Sequence, residues 1–254
     1  MSNLNKIIDL RSDTVTLPSE EMLNEIVRSE LGDDVFQEDP SVNNLEKQSA
    51  TVLNKEAALF VPSGTMGNLI SILVHCPRGT EVILGNKSHT FVYEAGGISA
   101  FGGIHSHQLR NNDDGTIDLS DIKNAIRSDN VHFPRTSLIS IENTHNMCYG
   151  APITPKYLKS VKLVASKYNI PIHVDGARIF NSAVAQNLDV QELTKEADSI
   201  TFCLSKGLAS PVGSVICGTL KFINECRRVR KALGGGMRQA GIIASAGLFS
   251  LKNA

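Results

Sequence analysis

A lysine follows directly on an apolar run near the end of the chain. Residues 199–204 read Ser-Ile-Thr-Phe-Cys-Leu, and Ser205, Lys206 and Gly207 come next. Burial disfavours the charged form of a lysine, and a neutral amine near pH 7 can attack a carbonyl carbon to form a Schiff base. The alternative is a lysine that extends from a strand end into water. Lys206 is therefore a candidate nucleophile.

A carboxylate stands at the end of a second apolar run, one strand–helix–strand unit earlier. Residues 170–174 read Ile-Pro-Ile-His-Val, and Asp175 follows them. An aspartate after a strand is commonly a helix N-cap. Pyridoxal phosphate chemistry, however, needs both groups, because an amine holds the aldehyde and a carboxylate keeps the pyridine nitrogen protonated. The pair of Asp175 and Lys206 therefore favours a pyridoxal phosphate site.

Two more loops offer groups that such a cofactor needs. The small and hydroxyl residues of 63–68 lie between a predicted strand and helix, where backbone N–H groups can approach a phosphate. His89, which follows another strand, can stack on a pyridine ring or move protons, and Tyr93 lies near it. Each loop also fits an ordinary structural role. The sequence has no G-x-G-x-x-G after a first strand and no G-x-x-x-x-G-K-[ST], which disfavours nicotinamide dinucleotides and nucleoside triphosphates.

Further histidines and polar residues are potential ligands. His105 and His107 share one strand face, but no carboxylate or third ligand accompanies them, so we predict no metal site. Residues 142–146, which include His145, form another polar cluster after a predicted strand. Because open α/β sheets bind ligands beyond the carboxyl ends of their strands, we expect all of these loops on one rim.

The elements that must position these loops alternate along the chain. We predict strands at 57–61, 81–84, 104–109, 136–141, 170–174, 200–204 and 212–217, the last of them antiparallel. We predict helices at 19–29, 41–53, 64–76, 91–100, 118–126, 156–168, 220–233 and 239–251, with another between 174 and 200. A short apolar segment at 7–10 opens an N-terminal arm. This alternation predicts an α/β fold with a mainly parallel sheet.

Composition excludes several classes of function. The net charge of −1 provides no field that would draw the chain to nucleic acid or to an anionic membrane. No apolar stretch reaches the length of a membrane span, and residues 1–6 show no signal-peptide core. The five cysteines are scattered without a C-x-x-C pair, which indicates reduced thiols in a cytoplasmic protein.

Eight segments, in order, resemble the threonine aldolase family of fold type I pyridoxal phosphate enzymes. They are Arg-Ser-Asp-Thr-Val-Thr (11–16), Gly-Asp-Asp-Val (32–35), Glu-Asp-Pro (38–40), Ser-Gly-Thr-Met-Gly-Asn (63–68), Glu-Asn-Thr-His-Asn (142–146), Asp-Gly-Ala-Arg (175–178), Leu-Ser-Lys-Gly (204–207) and Gly-Gly-Gly-Met-Arg-Gln (234–239). The resemblance spans essentially the whole chain. It implies a transferase-like large domain at residues 46–254, preceded by an arm and a helix at 1–45.

The resemblance also carries an expectation about the end of the chain. Family members continue into a smaller C-terminal domain, which we expect to be absent beyond Ala254. That domain normally supplies a further arginine to the substrate carboxylate and helps to close the site. Because a charge-assisted hydrogen bond to a carboxylate is strong, we expect the activity of this chain to be reduced or lost.

By resemblance, four residues carry the chemistry. Lys206 would form the internal aldimine, and Asp175 would pair with the pyridine nitrogen. His89 would lie against the ring and serve catalysis. His145 is the second candidate for proton transfer, and the sequence leaves open which histidine takes which proton.

By resemblance, other residues bind the cofactor and a small amino-acid substrate. The cofactor set, besides Lys206, is Ser63, Gly64, Thr65, His89, Asp175, Arg178, Lys231 and Arg238. The substrate set is Ser12, Arg178 and Tyr93. Lys231 and Arg238 are similar to residues that reach a phosphate across a dimer interface, which implies a homodimer or homotetramer with shared active sites.

The implied reaction is the retro-aldol cleavage of L-threonine or L-allo-threonine to glycine and an aldehyde. A base removes the β-hydroxyl proton of the external aldimine, the Cα–Cβ bond breaks, and the electrons pass into the ring as a quinonoid. Two alternatives stay open. One is a related pyridoxal phosphate lyase that eliminates a β-substituent, and the other is a non-catalytic remnant that binds cofactor and dimerises.

Overall fold

One mixed sheet positions the loops in the computed structural model, which describes residues 8–253. Its strands are β1 Ala57–Val61, β2 Glu81–Gly85, β3 His105–Leu109, β4 Thr136–Glu142, β5 Ile172–Asp175, β6 Ser199–Cys203 and β7 Ser214–Gly218. The order is β1-β7-β6-β5-β4-β2-β3. β7 is antiparallel to both neighbours, and the other neighbouring pairs are parallel. The predicted mainly parallel α/β fold with an antiparallel seventh strand is confirmed.

Helices cover both faces of this sheet. Over the described residues they are α1 Glu20–Val27, α2 Pro40–Val52, α3 Gly64–His75, α4 His89–Val92, α5 Gly97–Ala100, α6 Leu119–Ala125, α7 Pro155–Ser166, α8 Ile179–Gln186, α9 Val190–Thr194, α10 Leu220–Ala232 and α11 Gly241–Asn253. Short 3₁₀ helices lie at Asp13–Val15 and Asn146–Cys148. The apolar segment predicted at 7–10 lies partly outside the described residues, and 8–10 form neither helix nor strand.

One predicted helix is wrong. The continuous helix expected at 91–100 is replaced by the short helices α4 and α5. Between them, Ala95 and Gly96 have φ angles of 53° and 65°, in the left-handed region. A right-handed helix cannot run through two such residues. The break matters for the site, because Glu94 lies immediately before it.

Alternating residues of the strands feed the apolar cores on the two faces. On β1, Ala58 and Phe60 join the core beneath α2, α7, α8 and α11, while Leu59 and Val61 join the one beneath α3 and α10. This is the period of two expected for a strand covered on both sides. The sheet is therefore the middle layer of an α/β/α sandwich. The carboxyl ends of β2, β4, β5 and β6 all open onto one edge.

The last two strands form a hairpin instead of a helical crossover. Cys203 pairs with Ser214, and the loop between them, residues 204–213, is closed by a hydrogen bond from Leu204 N to Gly213 O of 3.0 Å. Two more backbone bonds brace the loop, from Ala209 N to Lys206 O at 2.9 Å and from Ser210 N to Leu204 O at 3.0 Å. The loop that carries the candidate lysine is thus fixed to the sheet at both ends.

A buried ion pair ties the N-terminal segment to this framework. Arg230 of α10 and Asp34 are 2% and 1% exposed, and their Nη2 and Oδ2 atoms lie 2.7 Å apart. Arg230 Nη1 also donates to the carbonyl oxygen of Phe60 at 2.7 Å. A buried ion that loses its partner costs much more than an exposed one.

We expect Asp34→Ala to lower the free energy of unfolding by about 3 kcal/mol, because it removes the carboxylate that is hydrogen-bonded to the buried Arg230 guanidinium. Urea unfolding followed by circular dichroism measures this change. The matched control is Asp129→Ala, which breaks the exposed pair of Asp129 and Arg135. It should change stability by less than about 0.5 kcal/mol. Equal effects of the two substitutions would contradict the assignment.

Candidate active site

A cleft of about 520 Å³ lies at the carboxyl edge of the sheet. Its lining residues are Arg11, Ser12, Asp13, Thr14, His89, Tyr93, Asn146, Arg178 and Lys206. The structure therefore brings together Lys206, His89, Ser12, Tyr93 and Arg178 from the predicted set. Lys206 is half-buried in the loop after β6.

Asp175 is the last residue of β5 and is 3% exposed. Its Oδ2 accepts a hydrogen bond from Asn68 Nδ2 at 2.8 Å, and its Oδ1 accepts one from Ala177 N at 3.1 Å. It does not serve as the N-cap of α8, a position that Arg178 occupies. A buried carboxylate needs donors of this kind, and both of its oxygens have one.

His89 begins α4 and is joined to Asp175 through two polar side chains. Its Nδ1 lies 2.9 Å from Glu94 Oε1, and the same oxygen accepts from Asn68 Nδ2 at 2.9 Å. The Glu94 hydrogen bond raises the pKa of His89 above its ordinary value; the charge of Asp175 acts in the same direction and that of Lys206 against it. The imidazole thus lies within the electrostatic fields of Asp175 and Lys206, the two residues expected to bind the cofactor.

Glu142, at the end of β4, connects the two loops that carry histidines. Its Oε2 accepts from His89 N at 2.7 Å, and its Oε1 accepts from Asn146 N at 2.9 Å. Burial, together with the nearby charge of Asp175, raises the pKa of this carboxyl to about 7. Its two oxygens therefore fix the backbone on both sides of the cleft.

His145 differs sharply from His89 in its surroundings. It is 1% exposed and is not among the residues that line the cleft. Neither of its ring nitrogens has a hydrogen-bond partner among residues 8–253, and its Nε2 lies 3.8 Å from Glu142 Oε2. Burial lowers the pKa of His145 to about 4. The ring is therefore neutral at pH 7 and a weak base.

The segment at residues 63–65 forms the N-terminus of α3. Ser63 is the N-cap, with its Oγ accepting from Met66 N at 3.2 Å. A Cβ on Gly64 would lie 2.7 Å from the Sγ of Cys203, so glycine allows this turn to approach the end of β6. The backbone N–H groups of Gly64 and Thr65 donate to none of the residues that the structure describes. A helix start with free N–H groups suits a phosphate.

Arg178 is held by a carboxylate of the N-terminal arm. Its Nε and Nη2 donate to the two oxygens of Asp13 at 2.5 and 2.7 Å. The Arg178 guanidinium lowers the pKa of Asp13 below its ordinary value. Ser12 lies beside this pair, and its Oγ accepts from Thr14 N at 3.2 Å. The guanidinium of Arg178 is thereby held in one orientation, and its Nη1 has no hydrogen-bond partner among residues 8–253.

Lys231 and Arg238 do not line the cleft of Lys206. Arg238 is 60% exposed and pairs with Asp33 at 2.9 Å, and Lys231 lies in the last turn of α10. Their expected contact with a phosphate across a dimer interface stays a prediction.

Four contributors to this site were not predicted from the sequence. Asn68 stood only at the end of a loop motif, and Asp13, Glu94 and Glu142 had no assigned role. For Asn68 the available signal was a polar residue within an otherwise apolar stretch of helix. A ring nitrogen of His89 and carboxylate oxygens of Glu94 and Asp175, atoms of the kind that bind metal ions, lie within 4.8 Å of one another. Because Asn68 donates to both carboxylates, hydrogen bonding accounts for their approach.

The groups around the cleft fit pyridoxal phosphate. The amine of Lys206 can take the aldehyde, the Asp175 carboxylate the pyridine nitrogen, and the free N–H groups of α3 the phosphate. The sheet order and the positions of these loops are those of the fold type I large domain.

The chain belongs to the beta-eliminating lyase family, whose model matches residues 9–254. The members of this family are lyases that depend on pyridoxal phosphate. The chain is therefore a member of a lyase family. The expected resemblance to the threonine aldolases is confirmed by curated relatives. Among the described residues, no helix has the length and apolar character needed to cross a bilayer.

Two relatives and one solved structure illustrate the similarity. A probable low-specificity L-threonine aldolase 2 of Arabidopsis thaliana is 49% identical, over 97% of this chain and 70% of its own length. The low specificity L-threonine aldolase of Escherichia coli K12 is 47% identical, over 97% of this chain and 73% of its own length. The threonine aldolase structure of Leishmania major superposes with a TM-score of 0.83 at 19% identity, covering 95% of this chain and 71% of that one. This chain thus spans about 70% of the length of the Arabidopsis relative.

We expect Glu94→Gln to lower the pKa of His89, because the substitution removes the charge that favours the imidazolium. NMR titration of the His89 ring in the cofactor-free protein measures it. In the unaltered protein the folded pKa lies above the unfolded value of about 6.5. The resulting stabilisation is full below that value and is lost as the pH rises through the folded pKa. Glu25→Gln, on the exposed face of α1, is the control. A His89 pKa unmoved by Glu94→Gln would show that the Glu94 carboxylate does not cause the shift.

Proposed function

We propose that this chain cleaves L-threonine and L-allo-threonine to glycine and acetaldehyde, with pyridoxal phosphate held on Lys206. The carrying observation is the placement of Lys206 and Asp175 at the ends of adjacent parallel strands, with His89 under the influence of both charges. The relatives that are 47–49% identical and named low-specificity L-threonine aldolases support the same substrate class.

Each part of the cofactor has a candidate holder in this chain. Lys206 Nζ would hold the aldehyde carbon, Asp175 would face the pyridine nitrogen, and the amides of Gly64 and Thr65 would bind the phosphate with the Ser63 and Thr65 hydroxyls. Pyridoxal phosphate supplies a protonated ring that accepts the electron pair released when the substrate's Cα–Cβ bond breaks.

His89 is the residue we assign to the substrate's β-hydroxyl proton. It lines the cleft, and because its Nδ1 is bonded to Glu94, Nε2 is the nitrogen left to accept a proton. Its raised pKa makes the ring a stronger base than an unperturbed histidine. His145, with a pKa of about 4 and 1% exposure, is the poorer base. We therefore give His145 a supporting role beside Glu142.

Arg178, Ser12 and Tyr93 would bind the amino-acid substrate. Asp13 already engages Nε and Nη2 of Arg178, so Nη1 is the donor that would meet the substrate carboxylate. Tyr93 lies beside His89, with ring centroids 5.6 Å apart. The Ser12 hydroxyl is a further donor at the cleft.

We further propose a homodimer or homotetramer in which Lys231 and Arg238 reach the phosphate of a partner's cofactor. Both lie away from the cleft of their own chain. A cytoplasmic location is consistent with five free, buried cysteines.

The product pattern tests this function. The purified chain, supplied with pyridoxal phosphate and L-threonine, should release acetaldehyde and glycine in equal amounts. An elimination would instead give 2-oxobutyrate and ammonia, and a non-catalytic chain would give neither pair. Either of those results would overturn the proposal. Coupled assays for acetaldehyde and for 2-oxobutyrate, run on one sample, separate the outcomes.

We expect Lys206→Ala to abolish threonine cleavage and covalent attachment of the cofactor, because the substitution removes the amine that takes the aldehyde. Borohydride reduction followed by mass spectrometry should place the cofactor's mass on residue 206 in the unaltered protein and on no lysine of the variant. Lys159→Ala, on the exposed face of α7, is the control and should retain both properties. Full turnover by Lys206→Ala would contradict the assignment.

A further inference from the structure

Polar contacts continue from Asn68 away from the cleft, through the interior of the protein. Asn68 Oδ1 lies 3.3 Å from His173 Nε2, and His173 Nδ1 lies 2.9 Å from Ser199 Oγ. Ser199 Oγ lies 2.8 Å from His75 Nε2. We call Asn68, His75, His173 and Ser199 the buried network. It extends along the strands, from their carboxyl ends, where Asp175 lies, to their amino ends, where β6 begins.

The periodicity of the helix and the strand places these groups in line. Asn68 and His75 are about two turns apart on α3 and so lie on the same face of that helix. His173 and Asp175 are two residues apart on β5 and therefore point to the same side of the sheet. α3 lies along that side, so its polar face meets the polar side chains of β5 and β6.

Every hydrogen bond of the buried network has a fixed direction. Asn68 Nδ2 donates to Asp175 Oδ2 and to Glu94 Oε1, which uses both hydrogens of the amide. The amide oxygen can only accept, so His173 Nε2 has to carry a hydrogen. His173 Nδ1 then accepts from the Ser199 hydroxyl, whose oxygen accepts from His75 Nε2. A reversed Asn68 amide would turn its oxygen toward two carboxylates.

The surroundings favour the neutral rings that this direction requires. Asn68 is 2% exposed, and His173 and Ser199 are fully buried. Burial lowers the pKa of His173 to about 3 and that of His75 to about 4. Both imidazoles therefore carry one ring hydrogen at pH 7. His75 ends the network, stacked on Phe222 with ring centroids 4.5 Å apart.

We propose that the buried network fixes the Asn68 amide so that it donates to Asp175, and that Asn68 and His173 are positioning residues for the reaction. This inference rests on the proposed function, because it gives Asp175 the task of facing a pyridine nitrogen. Asn68 occupies one oxygen of Asp175 and the backbone of Ala177 the other. The carboxylate is thereby held in one orientation before any cofactor binds.

The tautomers of the two histidines test the direction of the network in the cofactor-free protein. ¹⁵N NMR of histidine-labelled protein should show a protonated Nε2 and a bare Nδ1 for both His173 and His75 between pH 6 and 8. The variants His173→Gln and His75→Gln assign the signals by their loss. A protonated Nδ1 or a charged ring at His173 would overturn the proposal. This measurement needs neither cofactor nor turnover.

Cofactor affinity tests the effect on Asp175. Asn68→Ala should weaken pyridoxal phosphate binding by roughly tenfold, because Asp175 is then no longer held in its binding orientation before the cofactor arrives. It should lower kcat for threonine by at least about tenfold with little change in KM. The matched control is Ser71→Ala, also buried on α3, whose hydroxyl donates only to the Gly67 carbonyl. It should leave both quantities within about twofold of the original. Equal losses in the two variants would overturn the proposal.

A second pair of variants separates positioning from simple packing. His173→Gln keeps an N–H donor near the position of Nε2, whereas His173→Phe fills the space without a donor. We expect His173→Gln to bind pyridoxal phosphate several-fold more tightly than His173→Phe. Equal affinities would count against the network.

Failure of this inference differs from failure of the proposed function. A protein that shows the expected tautomers and the Asn68 effect on affinity, but does not cleave threonine, contradicts the function and supports the network. A protein that cleaves threonine equally well as Asn68→Ala and as Ser71→Ala contradicts the network alone.

Discussion

A buried carboxylate imposes the strictest requirement on this structure. Asp175 is 3% exposed, and an ionised group so far from water is tolerated only where donors satisfy its oxygens. Asn68 supplies one donor, and its amide can do so only in one orientation. That orientation turns the amide oxygen toward His173 and so determines which ring nitrogen of His173 carries a hydrogen. The same amide also donates to Glu94. Glu94 in turn is hydrogen-bonded to His89. The position of His89 is therefore linked to the hydrogen bond that Asp175 requires.

Two histidines at the same rim illustrate how surroundings assign chemical roles. His89 is bonded to a carboxylate, which raises its pKa, while burial without hydrogen-bond partners among the described residues lowers that of His145. The same side chain therefore has a raised pKa in one loop and is a neutral ring in the other. Glu142 holds both loops by their backbones, so the difference does not come from separate anchoring.

Local patterns in the sequence predicted most of the fold. Short apolar runs between turn residues predicted the strands, including the antiparallel strand near the end, because burial on both faces leaves a continuous apolar signature. The helix expected at 91–100 failed, since apolar periodicity does not reveal two consecutive left-handed residues at Ala95 and Gly96. The loops around Lys206 and His89 were predictable because residues that follow parallel strands meet at one edge. Asn68 and Asp13 were not, because their partners lie more than a hundred residues away, at Asp175 and Arg178.

The hairpin between β6 and β7 sets how far the amine of Lys206 can travel. A loop that leads into a crossover helix can shift with that helix, but this loop returns at once to the neighbouring strand and is closed by the bond between Leu204 and Gly213. Its length is therefore coupled to the reach of the lysine. An insertion there would displace Lys206, whereas the loops that end in helices could lengthen during evolution and vary what the cleft admits.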